Sequence, residues 1–170
     1  MPMNLEIAIK TAMEMELKIR DLYTEALETC PDKIGKRFFA MMQGDEQYHH
    51  DYLEKRLTEL SETGGIQYQD DIRLNVPSRE EIAARVQQAH ESMTAEARGV
   101  VQQMLSNALR VEVLTSEFYD KMVSETQGTA KRMFERFLEI ENGHIAAVQA
   151  ELDYVMNTGY WFDFKEFDME

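Results

Sequence analysis

The spacing Glu-x-x-His occurs twice in this chain, as Glu46-Gln-Tyr-His49 and as Glu141-Asn-Gly-His144. Each copy is preceded by a matching Glu and Tyr, Glu16 and Tyr23 before the first, Glu112 and Tyr119 before the second. The Glu and the Tyr recur after 96 residues and the Glu-x-x-His after 95. The repeat therefore slips by one residue between the Tyr and the Glu-x-x-His, where a connection between helices is expected. A duplicated unit of this kind constrains the fold strongly. Four carboxylates and two imidazoles must find equivalent places in two halves of one structure.

The apolar pattern puts those places inside. Leu5, Ile9, Ala12, Ile19, Tyr23 and Leu27 form one stripe at helical spacing, with Glu16 in its middle. Phe39, Met42, Leu53, Leu57 and Leu60 form a second, whose gap is filled by Glu46 and His49. Val101, Leu105, Ala108, Thr115, Tyr119 and Met122 are interrupted by Glu112, and Phe134, Phe137, Val148, Leu152 and Val155 by Glu141 and His144. The alternation of three and four residues is that of a core-facing helix. One Glu from each of two helices, with a Glu-x-x-His from each of the other two, is the inward-projecting donor set of di-iron and di-manganese carboxylate bundles.

Energetics favour cations at such a centre. Two carboxylates about 4 Å apart repel by roughly 4 kcal/mol at an effective dielectric near 20. Four of them in one core must take up protons, pair with cations or weaken the bundle. Two divalent ions balance four negative charges, and two neutral imidazoles complete the donors. A lone Glu-x-x-His is weak evidence in so acidic a chain. His50 and His90 have Gln47 and Gln87 at that spacing, so only two of the four histidines follow it. The joint repeat of Glu, Tyr and Glu-x-x-His is what carries the metal reading.

The predicted organisation is all-α. A first helix is expected from about Asn4 to Glu28, ended by Cys30-Pro31, and a second from about Lys33 to Glu62, stopped at Gly64-Gly65. A third is expected from about Thr94 to Glu125 and a fourth from Thr129 to Met156. The short connections Cys30 to Asp32 and Gln127-Gly128 make helices one and two, and three and four, antiparallel neighbours. Gly64 to Pro77 is broken and polar, as the long crossover of a ferritin-like bundle would be, and Ser78-Arg-Glu-Glu81 has capping-box spacing for a further helical segment toward His90. The domain reading is a bundle over residues 1–157 and an aromatic C-terminal tail over 158–170, where Tyr160, Trp161, Phe162, Phe164 and Phe167 are expected to cover the bundle or a second subunit.

A length of 170 residues suits one bundle. With no apolar run long enough to span a bilayer and no basic-then-apolar start, a cytoplasmic location is expected. The single cysteine, Cys30, excludes an internal disulfide and any Cys-x-x-Cys metal or redox site. A net charge of −14 disfavours nucleic acid and anionic membranes as partners.

The paired Glu…Tyr and Glu-x-x-His segments, together with Met41-Met42 and Asp45-Glu-Gln-Tyr-His-His-Asp-Tyr-Leu53, resemble the rubrerythrin branch of the ferritin-like superfamily from Leu5 to about Val155. The resemblance implies a non-haem di-iron centre ligated by Glu16, Glu46, His49, Glu112, Glu141 and His144, with manganese as the alternative metal. It implies that Tyr23 and Tyr119 hydrogen-bond ligand carboxylates from the facing helix. It further implies reduction of hydrogen peroxide or dioxygen, and a homodimer. Full rubrerythrins carry a four-cysteine rubredoxin domain that this chain lacks, so electrons are expected from an external donor such as a rubredoxin. The extra rubrerythrin glutamate three residues beyond the third-helix ligand is replaced by Thr115, and its counterpart is Ile19. The remaining six-donor site is closer to that of bacterioferritins, so the alternatives are a ferroxidase feeding iron storage and a protein that only binds iron.

Overall fold

The computed structural model describes residues 4–67 and 94–158. These form four α-helices, α1 (Leu5–Thr29), α2 (Lys33–Thr63), α3 (Ala95–Glu125) and α4 (Gly128–Thr158), with no strand among the described residues. The observed ends lie within two residues of those expected, and at the starts of α1 and α3 the difference is a cap. Asn4 is the cap of α1 rather than its first turn, its side chain accepting from the backbone N–H groups of Glu6 and Ile7. Asp32 caps α2 by accepting from Ile34 and Gly35, and Thr94 caps α3 by accepting from Ala97. Cys30 leaves the helical region ahead of Pro31, ending α1 as expected. Gly64 ends α2 with a left-handed φ of 75°, a conformation that costs a residue without a side chain little.

The helices pair as α1 with α2 and α3 with α4, and α1 also packs on α3 to join the pairs. Two apolar clusters fix the directions. One gathers Ile19 and Tyr23 of α1, Phe39 and Met42 of α2, Leu105 and Ala108 of α3, and Val148 and Val155 of α4. The other gathers Ile9 and Ala12, Tyr52 and Leu53, Tyr119 and Met122, and Phe134 and Phe137. The first cluster thus takes the C-terminal half of α1 and α4 but the N-terminal half of α2 and α3. Helices α2 and α3 therefore run the same way, and the connection from Gly64 to Thr94 joins opposite ends of the bundle. A connection of that kind distinguishes this topology from an up-down-up-down bundle with short loops. Residues 68–93, which include the expected capping box at Ser78, lie outside the described residues, as does the expected tail over 158–170 apart from Thr158, which ends α4.

Some expected stripe members sit at the margin of the core. Leu5, Leu27, Leu57, Leu60 and Leu152 are only partly buried. The fully inward positions near them are Ala26, Arg56 and Glu151. Arg56 and Glu151 stand seven residues beyond His49 and His144, close to two helical turns, so the helical register carries both under the surface. No helix of the described residues is long and apolar enough to cross a membrane.

Candidate metal centre

In every helix the polar donors fall between the residues of the two apolar clusters. Glu16 separates Ala12 from Ile19, Glu46 and His49 separate Met42 from Tyr52, Glu112 separates Ala108 from Tyr119, and Glu141 and His144 separate Ile140 from Ala147. All six are buried, none more than 1% exposed. A polar layer thus lies between two apolar ones. Matching hydrogen bonds pin the helices at that level. Arg20 donates to Gln47 Oε1 at 2.8 Å between α1 and α2, and Ser116 donates to Asn142 Oδ1 at 2.9 Å between α3 and α4. Gln47 and Asn142 each follow the Glu of a Glu-x-x-His, so the two halves repeat the bond with different residues.

The six donors converge. Glu46, His49, Glu141 and His144 each bring a ligand atom within 4.8 Å of the others, forming a buried group that can hold a metal ion. His49 Nδ1 lies 3.4 Å from Glu16 Oε2 and 3.3 Å from Glu46 Oε2. His144 Nδ1 lies 2.8 Å from Glu46 Oε1 and 3.7 Å from Glu112 Oε2. Glu46 therefore reaches both histidines, one with each oxygen, while Glu16 and Glu112 stand one on each side. The 2.8 Å approach of His144 to Glu46 is too poorly aligned to be a hydrogen bond, and both atoms remain without one. The imidazole rings of His49 and His144 stack with centroids 5.4 Å apart.

Both tyrosines cross the bundle. Tyr23 of α1 donates to Glu112 Oε1 at 2.5 Å, and Tyr119 of α3 donates to Glu16 Oε1. Each half thus orients the carboxylate of the other. Burial and the adjacent carboxylate raise both phenols well above their ordinary range, so each hydroxyl keeps its proton and remains a donor. Phe137 supports the layer from below, stacked on Tyr119 at 5.0 Å and edge-on to His49 at 5.7 Å.

Among the protein groups themselves, protons offset the crowded negative charge. Burial, then the negative charges of Glu16, Glu112 and Glu46, raise Glu141 well above the usual carboxylate range. Burial raises Glu46 to about 7, aided by Glu112 and opposed by His144. Burial disfavours charge on His49, but its contacts with Glu16 and Glu46 outweigh that and raise it to about 9. His144 is raised well above its ordinary value against the same penalty by the charges of Glu46 and Glu112. Glu16 is opposed by burial yet ends lowered, through His49 first.

Hydrogen bonds leave the centre incomplete. Glu16 Oε2, Glu46 Oε1, Glu112 Oε2, both oxygens of Glu141 and His144 Nδ1 are buried without a hydrogen-bond partner. Each such group costs on the order of 1–3 kcal/mol when left unsatisfied, and more when charged. Coordination to cations satisfies all of them together, so the residues present fit a metal centre.

No family model and no curated protein matches the sequence. Among solved structures, the chain is similar to a hypothetical protein from Pyrococcus furiosus, with a TM-score of 0.65 and 19% identity over 91% of each chain. At that identity the likeness speaks for the fold.

Three buried or half-buried polar residues near this layer escaped the sequence reading. Arg56 sets its guanidinium 5.1 Å from the Tyr52 ring centroid, 3.2 Å from Glu59, and donates to the carbonyl of Gln67. Glu151 is fully buried. Both carry the 95-residue offset of the Glu-x-x-His copies, which was the available signal. Asp45, beside Glu46, lies 3.9 Å from His144 Nε2, and nothing in the spacing pointed to that contact.

Proposed function

We propose that the protein binds two divalent ions, iron foremost and manganese as the alternative, in a centre of rubrerythrin type. In this reading it is a non-haem oxidoreductase that reduces hydrogen peroxide or dioxygen with electrons from an external donor such as a rubredoxin. The observation that carries the proposal is the set of six buried, unpartnered donor atoms gathered on one layer. Glu16 and His49 would hold one ion, Glu112 and His144 the other, and Glu46 and Glu141 would serve both. When bound, such a pair would supply two Lewis-acidic positions and, as iron, a two-electron store.

The chain's own residues would do the rest. Tyr23 and Tyr119 hold Glu112 and Glu16 in place, and the apolar layers on either side exclude bulk water. Glu46, Glu141, His49 and His144 release protons as cations enter, which couples binding to pH. Cys30 is the one cysteine among these 170 residues, so they hold no cysteine cluster to store electrons.

A specific observation favours ferroxidase chemistry as the second reading. The position that would carry a further carboxylate is Thr115, buried, with its hydroxyl committed to the Val111 carbonyl at 3.1 Å. The six-donor centre lacks that additional acid, so peroxide preference should be modest.

Metal analysis should give two ions per chain. Stopped-flow mixing of the ferrous protein with equal peroxide or dioxygen should show faster oxidation by peroxide, and turnover only with an added donor. Faster reaction with dioxygen, with many iron atoms accumulating per 24-subunit shell rather than a dimer by native mass, would replace the peroxidase reading with iron storage. A bound metal that never changes oxidation state would reduce the site to a structural one.

A further inference from the structure

The two halves of the centre match donor for donor, so the places where they differ are informative. Glu16 corresponds to Glu112, Tyr119 to Tyr23 and His49 to His144. Behind the histidines the match fails. His144 presents Nδ1 to Glu46 and Glu112, and its other ring nitrogen, Nε2, lies 3.9 Å from Asp45 Oδ2. The residue 95 positions beyond Asp45 is Ile140, which is 1% exposed and packed in the apolar cluster. His49 is flanked instead by the rings of Phe137 and Tyr48.

We infer that the two ion positions are inequivalent, with Asp45 acting as a positioning residue that makes the His144 position the tighter one. The inference rests on the two-ion reading above. An imidazole that coordinates through Nδ1 carries its remaining proton on Nε2, which in His144 is the nitrogen nearest Asp45. The separation is about 1 Å longer than a hydrogen bond, so at this geometry Asp45 acts on His144 through its charge. The Asp45 side chain is only 15% exposed, so its charge is weakly screened at this distance. A carboxylate behind a histidine ligand fixes the tautomer and raises the basicity of the coordinating nitrogen, and removing one typically costs 10–100-fold in metal affinity. Ile140 can do neither for His49. Of the other differences between the halves, Thr115 against Ile19 adds no charge, because both side chains are neutral, and Arg20 against Ser116 adds a guanidinium that is paired with Asp21.

The test uses Zn2+, a redox-inert probe, titrated calorimetrically into the metal-free full chain. The native protein should bind two ions in two steps at least tenfold apart. Asp45→Ala should weaken the first step by 10–100-fold and leave the second unchanged, so that the two merge, and Asp45→Glu should recover part of the loss. In the zinc-loaded native protein, nitrogen-resolved NMR should show a protected His144 Nε2–H that Asp45→Ala shifts or exposes to exchange, which a merely structural effect on the fold would not do selectively. Two equal steps in the native protein, or Asp45→Ala affinities and imidazole N–H signal matching the native ones, would overturn the inference while leaving the two-ion centre intact. Absence of zinc binding in the native protein would overturn both.

Discussion

Replacing Glu141 with Gln should move the metal-free and metal-loaded proteins in opposite directions. Both oxygens of Glu141 are buried without a donor, and its carboxylate shares the centre with Glu16, Glu46 and Glu112. The Glu46 and Glu141 ligand atoms lie within 4.8 Å, so ionising both costs at least about 3 kcal/mol at an effective dielectric of 20. The folded chain avoids that cost by keeping Glu141 protonated well above 4.5. Folding then binds a proton that the unfolded chain releases, and stability falls as pH rises above 4.5 until the folded value is passed. Gln mimics the protonated acid at every pH. Metal-free Glu141→Gln should therefore match the native protein near pH 4.5 and exceed it by about 3 kcal/mol at pH 8, roughly 6–12 °C in Tm for a chain of this size. Excess Mn2+ should reverse the order. An ion at a hundred times its Kd stabilises the native chain by about 2.7 kcal/mol per site, and the variant, lacking a carboxylate proposed to serve both positions, should gain little. Differential scanning calorimetry at pH 4.5, 6 and 8, with and without Mn2+, reads all four states. A metal-free variant less stable than native at pH 8 would refute the electrostatic argument, and equal Mn2+ stabilisation of both proteins would refute a ligand role for Glu141.

The metal-free native protein should lose stability from pH 5 to pH 9 in urea unfolding. Glu46 is raised from 4.5 to about 7 and His49 from 6.5 to about 9, so each stabilises the fold below its unfolded value and loses that contribution as pH rises through the folded one; a rise in stability over this range would contradict the assignment. Tyr119→Phe and Tyr23→Phe each strip a buried carboxylate oxygen of its donor and should cost about 1–3 kcal/mol apiece. Similar losses for the two would support the pseudo-twofold centre, whereas a loss at one alone would show the halves to be held differently. Phe137→Ala should cost about 3–5 kcal/mol in urea unfolding and also lower metal affinity, because the ring supports Tyr119 and His49 together; unchanged affinity would separate core packing from the centre.

What the sequence determined by itself is local and periodic. Helical spacing of the apolar residues, Pro31 and Gly64 as stops, and charged residues at four stripe centres were enough to expect four helices with Glu16, Glu46, His49, Glu112, Glu141 and His144 turned inward. These are properties of a single helix, whose faces follow from 3.6 residues per turn. The tertiary structure decided what depends on pairs of helices. The antiparallel placing of α1 against α3 joins Tyr23 to Glu112 and Tyr119 to Glu16 across about ninety to a hundred residues of chain, distances over which no local pattern carries information. Which carboxylate reaches both histidines was likewise undecided, because Glu46 and Glu141 are equivalent in sequence and differ only in how their oxygens meet the facing imidazoles. Arg56, Glu151 and Asp45 complete the lesson. Their charge predicts exposure; the register of α2 and α4 turns the first two inward, and the neighbouring helices close over them and bring His144 to the third.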